Sequence, residues 1–300
     1  MSHSQITRFL FEGLDIRGAF VRLEATWQKM LAGRDYPLPV SELLGQSAAV
    51  TALIAGQLKH SGRLTLQLRG EGPIQMLVLD CQAEEDSASA LLLRGMARSQ
   101  ASVLPAPTPE LLGAQHGGRL LMSLDLPTAR EPYQSFVPLE GETIGEIFEH
   151  YLTQSEQQPS RLFCAADERS ASCLFLQKLP DADSRDADAW MRISQLAATV
   201  KTQELQTLPL ETLLQRLFHE EIENGDGVRV YPPRPVRYHC PEKSEQIRTM
   251  VLSLGRAEAE SILAEHGEIH IHDDICNRDY RFSAEDVAAL FAAHGPQATH

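Results

Sequence analysis

An α+β fold is predicted: a large amino-terminal mixed α/β domain, a helical linker and a small carboxy-terminal α/β domain. Three observations carry this. Period-two alternation marks strands in the first half, as in Leu64, Leu66 and Leu68 against Thr65 and Gln67. Runs of helical spacing follow an acidic, turn-rich break at 180–188, PDADSRDAD. Helix and strand patterns then recur after a second break at 223–235, which holds Asn-Gly-Asp-Gly and three prolines. The expected divisions are 1–180, 181–235 and 236–300.

Each element follows from its pattern. The stretch 43–58 carries Leu44, Ala48, Ala49, Ala52, Ile54 and Ala55 on nearly every face, as a helix buried on most sides does. Strand 63–69, the turn Gly70-Glu71-Gly72-Pro73 and strand 74–81 read as an antiparallel hairpin. Further strands are expected at 119–126 and 172–179, with a helix over 143–155 between them. In the linker, one helix places Trp190, Ile193, Leu196, Ala197 and Val200 together, and another Leu210, Leu213, Leu214, Leu217 and Phe218, with Pro209 suited to its first turn.

The last piece predicts helices over 242–254 and 258–263, the second ended by Gly267, then strands 268–272 and 278–282. Ser283 to Asp286 resembles a capping box that opens a final helix. Its candidate core is Ile247, Met250, Val251, Leu254, Ile262, Leu263, Ile269, Ile271, Ile275, Tyr280, Phe282, Val287, Leu290 and Phe291.

Composition narrows the function. The chain has 300 residues, 27 Lys plus Arg against 41 Asp plus Glu, and a formal net charge of −14. Such a surface repels phosphate on average, which disfavours nucleic acid as a partner. The stretch 43–58 carries Gln46, Ser47, Thr51 and Gln57, so no membrane span is expected, and 1–12 does not read as a secretory leader. The cysteines, Cys81, Cys164, Cys173, Cys240 and Cys276, are odd in number and scattered, which fits a reducing cytoplasm. Burial as small apolar side chains is expected for the first three.

Motifs of catalysis are absent: no Walker phosphate loop, no GxSxG elbow and no HExxH. Gly70-Glu71-Gly72 joins two strands rather than opening a helix, so it reads as a turn. The segment HGEIHIHDDIC, 266–276, places His270 and His272 on one strand face beside Asp273, Asp274 and Cys276. Those residue types suit a metal-dependent enzyme as well as a decorated surface hairpin.

Ordered segments along the chain then resemble the 33-kDa heat-shock chaperonin family, the redox-regulated holdase chaperones of bacteria. They are Arg17-Gly18, Asp35-Tyr36-Pro37, QLRGEGP at 67–73, RGMAR at 94–98, LEGET at 139–143, SEQQPSRLF at 155–163, KTQELQTLP at 201–209, RLFHEE at 216–221 and SILAEHGEI at 261–269. The resemblance implies a non-enzymatic, ATP-independent chaperone, with a helical linker and a carboxy-terminal zinc domain. It implies unfolding client proteins as partners, and it is compatible with a homodimer and with hand-off to ATP-dependent foldases. Client binding falls to the linker side chains Trp190, Ile193, Leu196, Leu213, Leu217 and Phe218.

In that family four cysteines hold zinc as Cys-x-Cys and Cys-x-x-Cys. Here the matching positions read Tyr238-His239-Cys240 and Asp273-Asp274-Ile275-Cys276. Three outcomes stay open. The domain is metal-free and held by its own core, with Tyr238 filling vacated volume. Or Cys240 and Cys276, placed by the family backbone where one zinc sat, pair as a disulfide. Or a mixed zinc site survives, with Cys240, Cys276, Asp273 and His239 or His272 as ligands.

Overall fold

The structure is a computed structural model that describes residues 4–58, 62–84, 90–223 and 225–294. The chain divides into two compact units, Met1–His239 and Cys240–His300.

The first unit is built on one mixed sheet. Its strands lie in the order Tyr133–Val137, Arg119–Asp125, Arg63–Arg69, Ile74–Ala83, Leu91–Ser99, Arg234–Tyr238, Gln5–Phe11, Ile16–Leu23, Ala171–Lys178 and Ser160–Ala166, with Val228–Val230 paired to Gln5–Phe11. The expected hairpin is there, with Leu66 opposite Leu79. Its turn packs closely on a neighbouring loop: a Cβ on Gly72 would meet the Gly113 nitrogen at 2.5 Å, so only glycine fits.

The segment 223–235, expected to be a boundary, contributes strands instead, while its Asn224 lies outside the described residues. Val236, Arg237 and Tyr238 pair in parallel with Leu91, Leu92 and Leu93, while Pro235 and Arg234 pair antiparallel with Gln5 and Ile6. This late return of the chain stitches two antiparallel halves into one sheet. It also moves the start of the second unit from the expected Val236 to Cys240. Tyr238 packs against the first unit's core.

Strands Gln5–Phe11 and Ile16–Leu23 went unread because the second is buried on both faces and shows little alternation. Opposite Phe9 stands Gly18, and the Phe9 ring occupies the place a Cβ would take. That close approach accounts for glycine in the Arg17-Gly18 pair.

The two sheet faces carry separate cores. On one, Ala19, Val21, Leu23, Cys173 and Phe175 pack under the helix Leu38–Gln57 with Trp27, Leu64, Leu79 and Phe148. This helix has the length and apolar composition of a membrane span, which the sequence reading denied to 43–58. Its most apolar stretch is 67% buried inside the fold, and a core helix passes the same test. Helix Ile144–Glu156 opens on a capping box, Thr143 accepting from the Glu146 amide at 3.2 Å. Buried Asp80 accepts from Arg63 at 2.6 Å and from Arg94 at 2.7 Å, which gives the first arginine of RGMAR a structural partner.

The break at 180–188 is not bare linker. It forms a short helix, Ala182–Arg185, with Ala182 buried. Helices Ala189–Ala197, Thr202–Thr207 and Leu210–Glu223 follow and belong to the first unit.

The second unit holds helices Ser244–Ser253, Arg256–His266 and Ala284–His294 around a hairpin, Ile269–Asp273 with Arg278–Phe282. Gly267 takes the left-handed conformation (φ 80°) that ends the second helix. The Ser283 hydroxyl accepts from the Asp286 amide at 3.2 Å, as a capping box requires. Its core is smaller than expected. Among the described residues, only Val251, Ala259, Ile269 and Val287 are buried in it, while Met250 and Leu254 are exposed at 47% and 42%.

Candidate functional site

The second sheet face offers Phe9, Phe11, Ile16, Phe20, Leu174 and Leu176. It is covered by Ile193, Ala197, Leu205, Leu213, Leu214, Leu217 and Phe218 from the three helices after 188. Of the six expected linker positions, Ile193, Leu213, Leu217 and Phe218 are buried there, while Trp190 and Leu196 pack at its margin. Phe218 sits edge-on to Phe11 at 5.0 Å between ring centroids, where its helix kinks. The facing aromatic residues on the strands escaped the sequence reading. The signal was the unbroken run Ala171 to Gln177, every residue of it buried, as only a strand covered on both sides would be.

Polar groups fasten this cover. The Arg22 guanidinium donates to the Leu205 and Leu208 carbonyls at 2.7 and 2.6 Å, closing the carboxy-terminal end of helix Thr202–Thr207. Burial pulls the Arg22 pKa below its ordinary value, with Glu24 opposing. Arg192 donates to Glu221 at 2.5 Å and to Asp186 at 2.9 Å, joining the first and third helices. These carboxylates raise the Arg192 pKa. Arg216 reaches Glu204 at 2.9 Å and the Thr199 hydroxyl at 2.8 Å.

The second unit places the cysteines differently from a metal cage. Cys240 and Cys276 are joined by a disulfide, with Cα atoms 5.7 Å apart. Beside it, Asp273 accepts from Lys243 at 2.7 Å through one oxygen, and from the Ile275 and Cys276 amides at 3.2 and 3.3 Å through the other. Burial opposes ionisation of Asp273, but the Lys243 ammonium and the two amides outweigh it and hold its pKa below the usual carboxylate range. His270 and His272 both reach Asp279 on the facing strand, at 2.5 and 3.0 Å. These hydrogen bonds lower the Asp279 pKa. His239 follows strand Arg234–Tyr238, its amide donating to the Leu93 carbonyl at 3.1 Å. Among the described residues, no group of three or more His, Cys, Asp and Glu could hold a metal ion.

A family model described as Hsp33 protein matches residues 4–283. The chain belongs to the Hsp33 protein family. It is 41% identical over 290 residues to the 33 kDa chaperonin of Nitrosococcus oceani, covering 97% of this chain and 95% of that one. It is 38% identical over 294 residues to the 33 kDa chaperonin of Pseudomonas fluorescens, covering 96% and 93%. In fold it is similar to the crystal structure of the 33 kDa chaperonin of Thermotoga maritima, with a TM-score of 0.74, 23% identity and coverage of 96% and 98%.

Hsp33 proteins are redox-regulated holdase chaperones, not enzymes. The enzyme reading of His270, His272 and Asp273 is therefore overturned. His270 and His272 pair with Asp279, while Asp273 pairs separately with Lys243. The Hsp33 family typically binds zinc. The side chains here do not fit a four-ligand zinc: both Asp273 oxygens have protein partners, and the two sulfurs are bonded to each other. Several segments that carried the resemblance now have structural work. Tyr36 accepts from the Ala97 amide at 3.1 Å, LEGET supplies the capping box, and RLFHEE supplies Arg216 and Glu221.

Proposed function

We propose that this chain is an ATP-independent holdase of the cytoplasm whose zinc-based gate is replaced. Clients would bind the apolar sheet face of Phe9, Phe11, Ile16, Phe20, Leu174 and Leu176, and the inner sides of the helices that cover it. One observation carries this: that face is closed by contiguous helices on apolar contacts, fastened at their edges by a few arginines. Uncovered, it would form an apolar patch able to bury non-native chain segments without specific chemistry. A holdase without ATP cannot refold its client, so hand-off to a foldase follows naturally.

In this reading Cys240 and Cys276 take over from the metal. Tyr238 and Asp273 stand where the family pattern has thiolates, so neither family disulfide can form within its own motif. A single bond across 36 residues would staple the second unit where the family mechanism unfolds it.

Light scattering of a thermally unfolding client, with the full chain added in both redox states, tests the function. Suppressed aggregation is expected, and none at any temperature or redox state overturns the reading. Leu213→Asp with Leu217→Asp should loosen the cover and shift suppression to lower temperature. Metal analysis tests the gate: one tightly held zinc per chain contradicts it.

A further inference from the structure

The three cysteines outside the disulfide are not equivalent. Cys81 is fully buried in strand Ile74–Ala83, opposite Leu64 and Leu93. Cys164 and Cys173 face each other across the antiparallel pair Ser160–Ala166 and Ala171–Lys178. Their sulfurs are 3.4 Å apart. Directly opposed residues in antiparallel strands have Cα atoms about 4.5 or 5.5 Å apart, and both values lie inside the range of about 4.4–6.8 Å that a disulfide spans. Small rotations about the two Cα–Cβ bonds would therefore close the remaining distance, with no change of register.

The two thiols also differ in access. Ser160–Ala166 is the last strand of the sheet, and Cys164 is half-buried there. It lines a cleft of about 650 Å³ together with Glu149, Arg161, Trp190, Met191 and Ser194. Cys173 is wholly enclosed, and burial followed by its hydrogen bond with Cys164 raises its pKa well above that of a free thiol.

We propose that Cys164 and Cys173 form a second, cross-strand disulfide in the first unit when a peroxide enters this cleft. The Cys164 thiolate attacks one peroxide oxygen. The O–O bond breaks, hydroxide leaves, and Cys164 becomes a sulfenic acid. The Cys173 sulfur then attacks the Cys164 sulfur, the S–O bond breaks, and water leaves with the Cys173 proton. Two thiols lose two electrons, and hydrogen peroxide is reduced to two waters. This chemistry is independent of Cys240 and Cys276. It links the two strands on the sheet face that packs under helix Leu38–Gln57, and it withdraws the Cys164 sulfur from the cleft wall.

Arg169 lies between the two cysteines, so trypsin separates them into peptides 162–169 and 170–178. The full native chain is treated with hydrogen peroxide and labelled with a light maleimide. It is then denatured, labelled with a heavy maleimide and digested without reductant. Before peroxide, Cys164 should take the light label, and Cys173 and Cys81 the heavy one. After peroxide, the two peptides should appear joined and two hydrogens lighter, Cys81 should still take the heavy label, and dithiothreitol should reverse the link. In Cys173→Ser, Cys164 should gain oxygen without any link. The proposal is overturned if Cys164 stays alkylatable after peroxide. It is equally overturned if Cys164 gains two or three oxygens while Cys173 keeps its thiol, or if the link joins Cys81.

Discussion

The two units solve the same problem with unequal means. Met1–His239 has a sheet packed on both faces, with Trp27, Phe9, Phe11, Phe148, Phe175 and Phe218 fully buried. Among its described residues, Cys240–His300 has four buried apolar side chains in its core cluster, none of them aromatic. Apolar burial stabilises at about 25 cal/mol per Å² removed from water, so the first unit can rely on packing alone. The second lies near the size at which cores become marginal without a metal or a cross-link. A covalent bond and a partly buried ion pair, Cys240–Cys276 and Lys243–Asp273, sit where that shortage is felt.

Breaking the bond should have the largest effect. A disulfide closing a loop of 36 residues contributes about 3–4 kcal/mol by restricting the unfolded chain. Cys276→Ser should strip amide exchange protection from Ile269–Asp273 and Arg278–Phe282, while Ile16–Leu23 keeps its own. Equal loss in both units would erase the contrast drawn here.

A comparable insult to the first unit should be absorbed. Asp80→Ala leaves Arg94 with a poorly exposed charge and Arg63 with a half-exposed one. The cost should be about 3 kcal/mol, read as a lower denaturation midpoint with the sheet still formed.

The ion pair of the second unit ranks next. Asp273→Asn should cost about 2 kcal/mol, since it removes a charge-assisted bond but keeps a polar side chain. The sign of the pH effect follows from the lowered Asp273 pKa. The stabilisation is present above the unfolded carboxylate value, about 3.9, and is lost as pH falls from there through the lower folded value. Acid titration followed by exchange should show the second unit opening in that window, and Asp273→Asn should flatten the response. Smallest of all, Ser283→Ala removes a cap from helix Ala284–His294 and should cost about 1 kcal/mol, visible as fraying of that helix alone.

The legibility of the chain tracks the same physics. Half-buried strands such as Arg63–Arg69 alternate, so their register could be read in advance. Ile16–Leu23 hides because both its faces are covered. The strands around Pro235 hide because they are short and proline-rich. The Cys164–Cys173 contact was countable in principle. Asp167 accepts from the Arg169 and Ser170 amides, which fixes a tight turn and sets Ala166 opposite Ala171, so Cys164 must meet Cys173 two places further on. It was missed because 160–166 had not been paired with its neighbour.

By itself the sequence determined the longer amphipathic helices, the alternating strands such as Arg63–Arg69, the cap at Ser283, and, through its ordered segments, the resemblance to a chaperone family. Those features depend on neighbours within a few residues, where periodicity and hydrogen-bonding side chains act. Only the tertiary structure decided that 228–238 closes the sheet, that three helices cover an aromatic face, and which cysteine meets which. Those contacts join residues far apart in the chain, and their energy comes from surfaces that exist only once the sheet is assembled.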